Sequence, residues 1–183
     1  GRVAMARLNA YNEPPRYDGI SGEPQLTIAV RTAEQITSID YDKDLAEALK
    51  NSYAIYSKEY AMQTASDDYE NNKTNTLYAY QAAKIDRDAQ KESTTASFRK
   101  LYTDLQEKQT ALAAADADLE QAKKTFTVSQ VQYTRGMISK MAYTDALDTF
   151  TTAQETEVAA RIDLLTAYNT YQWAKRGVIT ATT

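Results

Sequence analysis

Three aspartates are the first residues in this chain whose spacing suggests chemistry. In "DYDKDL", Asp40, Asp42 and Asp44 alternate as the leading ligands of a calcium loop do. Such a loop also needs glycine at its sixth position and glutamate at its twelfth, where this sequence has Leu45 and Asn51. The pattern therefore reads as acidity at a helix start, where carboxylates complement the positive end of the backbone dipole. Asp44 and Glu47 have capping-box spacing.

Other chemistry finds little material. Histidine and cysteine are both absent, which removes the commonest general base and the best nucleophile and leaves Ser or Thr with Lys, or paired carboxylates. The carboxylates instead fall into helical i,i+4 pairs with lysine, as in Asp104 with Lys108 and Glu120 with Lys124. They read as solvated helix faces. No catalytic residue, cofactor or metal is expected, and the chain reads as non-enzymatic. A net charge of −4 and a pI near 5.0, without a Lys/Arg cluster, argue against nucleic-acid binding. Having no cysteine leaves the redox compartment open. "NKT" at Asn72 has the form of a glycosylation sequon. Tyr53, Tyr56 and Tyr60, three of 14 tyrosines, are expected to pack at helix interfaces rather than to stack on sugars or nucleotides.

The elements that would position such residues are helices. All three prolines precede residue 25, and from Tyr41 onward only Gly136 and Gly177 interrupt a chain rich in Ala, Leu, Gln, Glu, Lys and Asp. Residues 1–40 read as the end of a preceding helix followed by the linker "NEPPRYDGISGEP" and a short extended piece, "QLTIAV". Residues 41–183 read as one long-helix module. Its first helix is expected from about Tyr41 to Tyr69, with Leu45, Leu49, Ser52, Tyr56 and Tyr60 at steps of three or four, ending in "ENNKTNT". No stretch approaches the roughly 18 apolar residues of a membrane helix, and mean hydropathy is −0.61. The first residues do not form a signal peptide.

From Thr76 to Arg135 the pattern becomes regular. Phe98, Leu105, Leu112, Leu119, Phe126 and Tyr133 recur every seven residues, with Leu101, Lys108, Ala115, Ala122 and Ser129 as companions. Sixty helical residues would extend roughly 90 Å. A third helix, Ser139 to about Arg176, carries its own sevenfold seam of Ala146, Ala153, Ala160, Ala167 and Ala174. Tyr143, Phe150, Leu164 and Tyr171 run beside it, with Glu157 as the exception. Small residues let backbones approach, so the large residues of one helix are expected to pack on the alanines of the next, in a left-handed supercoil. The fold class is therefore all-α, built from long antiparallel coiled-coil hairpins. Between the two helices, "YTRGMIS" holds the turn: Gly136 supplies a positive φ that caps one helix, and Ser139 caps the next.

The stretch from "LEQAKKTFTVSQVQYTRGMISKMAYTDALDTF" to "AYNTYQWAKRG" resembles one repeat of the TolC-type outer-membrane efflux proteins. Their repeats carry a Y-x-x-G-x-x-[S/T] tip, a D-A pair and an alanine-rich returning helix, matched here by Tyr133, Gly136, Ser139, Asp145 and Ala146. "ALKNSYAI" looks like the family's A-L-x-N-x-x-L helix start, and "ARLNAYNEPP" is similar to the end of a preceding repeat. The resemblance implies an α-helical barrel formed by laterally associated repeats. Its tips would be Tyr133, Thr134, Arg135, Gly136, Met137, Ile138, Ser139 and Lys140, meeting a periplasmic adaptor protein. It also implies a cell-envelope, extracytoplasmic location. One departure stands out. In the family two membrane β-strands separate the first and second long helices, whereas here the span from Asn51 to Gly136 reads as helix plus a polar turn. The alternative reading is a structural or adhesive coiled-coil rod of the cell envelope that transports nothing.

Overall fold

The structure, a computed structural model, describes residues 35–71 and 76–179. The expected linker, the "QLTIAV" piece and the Asn72 sequon lie outside these residues. The chain divides into two units at Thr37/Ser38, and the described residues of the second form four helices joined by turns: α1 (Tyr41–Asn51), α2 (Tyr53–Glu70), α3 (Thr76–Thr134) and α4 (Lys140–Lys175).

The spine is α3, 59 residues long and therefore about 90 Å. A single stripe runs down it at steps of three and four, through Tyr80, Ala83, Arg87, Gln90, Thr94, Phe98, Leu101, Leu105, Lys108, Leu112, Ala115, Leu119, Ala122 and Phe126, all buried or half-buried. Two helices share this stripe, both antiparallel to α3. Along its first half lies α2, with Tyr69 stacked on Tyr80 at 6.5 Å, Lys58 paired with Asp86 at 3.2 Å and Glu59 with Lys91 at 2.8 Å. Along its second half lies α4, with Phe150 stacked on Phe126 at 5.3 Å and Tyr171 against Phe98 at 5.0 Å. The start of α2 and the end of α4 thus both lie toward the middle of α3, where α1 packs on both α3 and α4.

The first expected helix is broken at Ser52. Its backbone is extended there (φ −69°, ψ 113°), and its hydroxyl accepts the Ile55 N–H at 3.4 Å, so Ser52 begins a new helix rather than filling a core position in an old one. Serine at an N-cap satisfies an orphan donor that a helix interior would not leave open. The residue that caps α1 is Asp40, accepting the Lys43 N–H at 3.2 Å. Asp44, expected in a capping box with Glu47, is instead buried a full turn inside the helix.

Size complementarity between the seams is local. The bulky residues of α3 meet the alanines of α4 toward the junction, where Phe98, Leu105, Ala167 and Ala174 are buried. Nearer the turn, Ala115 and Ala122 face Ala153 and Ala146. Small against small leaves two open grooves of about 440 and 360 Å³ there. Glu157, the exception in the seam, is buried and paired with Arg161, whose guanidinium also reaches Asp116 of α3 at 3.7 Å.

Candidate functional site

Two places bring unusual residues together, the turn between α3 and α4 and the junction at the middle of α3. At the turn the backbone closes a Schellman motif. The Gly136 N–H donates to the Tyr133 carbonyl at 2.9 Å and the Met137 N–H to the Gln132 carbonyl at 2.8 Å, with Gly136 at φ 70°. Ser139 then accepts the Ala142 N–H at 3.1 Å and starts α4. Both ends are closed locally, so the turn needs no partner in order to form.

Of the eight residues singled out there, Tyr133, Thr134, Arg135, Gly136, Met137, Ser139 and Lys140 are exposed and Ile138 is half-buried. The Tyr133 ring stacks on Tyr143 at 4.8 Å, and Phe126 lies 5.7 Å from Tyr143, so a short aromatic ladder stiffens the last turns beneath the tip. Met137 and Met141 are exposed beyond it, with Val128 and Val131 exposed on the outer side of α3. Among the seam residues, Leu105, Ala167 and Ala174 are buried, while Leu112, Leu119, Phe126, Ala146, Ala153 and Ala160 are half-buried.

The junction is where sequence reading was blind. Asp44 of α1 accepts the Tyr171 hydroxyl at 3.0 Å and pairs with Lys175 Nζ at 2.7 Å; Glu47 adds a second contact to Lys175 at 3.4 Å. Asn51 Nδ2 donates to the Lys175 carbonyl at 3.3 Å. Beneath this polar layer lie Phe98, Tyr102, Tyr171 and Tyr41, with ring centroids 5.0–6.1 Å apart. Gly177, at φ 89°, closes a second Schellman motif through its N–H to the Ala174 carbonyl and that of Val178 to the Trp173 carbonyl. A Cβ on Gly177 would stand 2.2 Å from the Asn51 carbonyl oxygen. The glycine therefore permits the backbones at the ends of α1 and α4 to touch. Partners 127 residues apart cannot be read from local spacing; the nearest available signal was an aspartate and a tyrosine each standing where an apolar seam residue would suffice.

The electrostatics follow from this packing. Burial pushes the Tyr171 hydroxyl well above its ordinary value, and its hydrogen bond to Asp44 pushes the same way. Hydrogen bonding to Asp44 raises Lys175 above its ordinary value, with burial opposing. Lys108 is raised by its hydrogen bond to Asp163 of α4, at 2.9 Å, so its main partner is across the helix pair rather than Asp104 on its own helix. Glu120 and Lys124 do pair along α3, at 3.8 Å.

These groups stabilise helix contacts, and little else converges. Among the described residues no group of three or more His, Cys, Asp or Glu is placed to hold a metal; Asp40 and Asp44 are committed to a helix cap and to the junction. Threonine hydroxyls along α3 and α4 donate back to carbonyls four residues earlier, as at Thr110, Thr125, Thr149 and Thr166. Among the described residues no helix is long and apolar enough to cross a membrane. The expected burial of the tyrosine row is not found: Tyr53, Tyr56 and Tyr60 are 78%, 62% and 68% exposed, because α2 turns Ile55, Lys58 and Met62 toward α3 and the tyrosines away from it. No protein-family model matches this chain, and neither does any curated protein or solved structure.

Proposed function

We propose that this chain is a non-enzymatic wall element of an export conduit in the cell envelope, a coiled-coil hairpin module of TolC-like type that associates laterally with further copies. The observation that carries this reading is that, among the described residues, α2, α3 and α4 each turn large apolar side chains outward. Tyr53, Tyr56 and Tyr60 on α2, Ile85 on α3 and Ile162 on α4 all stand exposed. An isolated rod gains nothing from such residues, whereas a wall of side-by-side hairpins buries them. In this reading the Schellman-closed turn at Gly136, with Met137 and Arg135 exposed around it, is the end of the tunnel that meets an extracytoplasmic adaptor protein.

The module would supply tunnel and not membrane pore. Only residues 71–75 separate α2 from α3, and two membrane strands of roughly ten residues each do not fit in that space. The sequence pattern of the tip, the D-A pair and the alanine seam supports the family likeness; the missing strand insertion marks a strandless variety of it.

The test is the mass of the purified chain in solution by sedimentation over a wide concentration range. A closed oligomer is the expected result. A monomer at every concentration would overturn the conduit reading and favour a structural or adhesive rod.

A further inference from the structure

The tyrosine row on α2 points away from α3; among the described residues Tyr53 and Tyr56 lie 6.4 Å apart, ring to ring, and all three rings stand exposed. On the opposite side of the same helix pair, α3 turns Ile85, Ala89, Glu92 and Ala96 outward, all exposed and spaced at steps of four, three and four along one face. The ion pairs Lys58–Asp86 and Glu59–Lys91 fix the two helices in height, so the tyrosine row and this α3 row lie at the same level. One row is large and the other mostly small. A copy shifted sideways would set rings over Ala89 and Ala96, lay Ile85 against an aromatic face and bring phenol hydroxyls to Glu92, an acceptor.

Resting on the lateral assembly proposed above, we infer that the occupant of the tyrosine face is the Ile85–Ala96 face of α3 in a second copy of this chain. The contact is heterologous, large row on small row, so each copy keeps one face of each kind free and addition continues until a ring closes. Exposed tyrosine at these fractions offers about 400 Å² per copy at roughly 200 Å² per ring. A stable interface uses about 800 Å² per partner. The remainder is available along the same side of the layer, because α2 and α4 share one stripe of α3 and the outward row Val158, Ile162 and Leu165 continues on α4.

The chain has no cysteine, so engineered pairs report cleanly. Tyr56→Cys and Ala89→Cys chains are prepared separately, mixed and treated with a short bismaleimide. The two positions face opposite ways within one chain, so bridging reports contact between copies. The expected result is a cross-linked dimer only in the mixture, and a ladder from the doubly substituted chain. Dimers from Tyr56→Cys alone would replace the inference with a two-fold contact. An oligomer by sedimentation without any cross-link would place the interface elsewhere and leave the conduit reading standing. A monomer at all concentrations would overturn both. As a second readout, Tyr56→Glu, at an exposed position where folding is insensitive to it, is expected to weaken association at least tenfold with unchanged helicity.

Discussion

The junction and the turn are both ends of α4, and both finish a helix with a glycine at positive φ, yet they are built on opposite terms. At the junction three helices converge and Phe98, Tyr171 and Ala174 are completely buried. At the turn two helices part, and the aromatic ladder of Phe126, Tyr143 and Tyr133 stays half-open to solvent. The difference teaches where stability resides and where surface is spared. A Leu-sized apolar side chain contributes roughly 1.5–3 kcal/mol when fully buried, so the junction dominates stability while the turn keeps its residues accessible.

The sharpest way to break this contrast is to remove one ring from each place. Phe98→Ala is expected to cost about 3–5 kcal/mol, the full cavity penalty, because the site is walled by Tyr41 and Tyr171, themselves held by Tyr102, and cannot collapse. Phe126→Ala is expected to cost about half as much, since water already reaches its surroundings. Urea denaturation of both variants checks this, and equal losses would sink the contrast.

The two glycines give the next comparison. Alanine at either suffers the left-handed backbone, worth about 1–2 kcal/mol. At Gly177 the new methyl would also overlap the Asn51 carbonyl, whereas nothing stands within 4 Å of a Cβ on Gly136. Gly177→Ala is therefore expected to lose at least ~3 kcal/mol and to loosen α1 from α4, measured as faster amide exchange in α1. Gly136→Ala should stay near the backbone cost alone. Between these extremes, Ala160→Leu overfills the α3/α4 seam midway along the pair and is expected to cost about 1–3 kcal/mol in the same assay. An unchanged midpoint would mean that the seam is looser than its alanines suggest.

The same division explains what could be read in advance. The helix start at Thr76, its end near Arg135, which the structure places at Thr134, the Gly136 turn and the Ser139 cap were legible because glycine and N-cap residues are local signals; the size match of the two seams was not, since nearer the turn small residues lie against small ones. The break at Ser52 was not, because Ser at a step of four from Tyr56 fits a helical stripe as well as a cap. Asp44 was misplaced because its partners Tyr171 and Lys175 are distant in sequence. The outward tyrosines misled because aromatic spacing along a helix shows that a face exists and not which neighbour covers it.

The smallest effect expected is electrostatic, and it separates the two ends by pH. Tyr171 and Lys175 both hold their protons more tightly in the folded chain than their ordinary values of 10.0 and 10.5. A group whose proton affinity rises on folding contributes stability that is fully present below its unfolded value. Once the unfolded chain begins to release those protons first, that contribution fades with rising pH. Stability should accordingly be flat through neutral pH on account of these groups and should decline above about pH 10. Tyr171→Phe removes one of the two titrations and the hydrogen bond to Asp44 together. It is expected to lower stability modestly at pH 7, by about 1 kcal/mol, and to make the alkaline decline shallower. Tyr133→Phe at the open end of the ladder should leave the neutral value unchanged. Thermal midpoints of the three proteins between pH 7 and 11 decide it: an alkaline slope as steep in Tyr171→Phe as in the parent would mean that the buried phenol does not govern the junction's response.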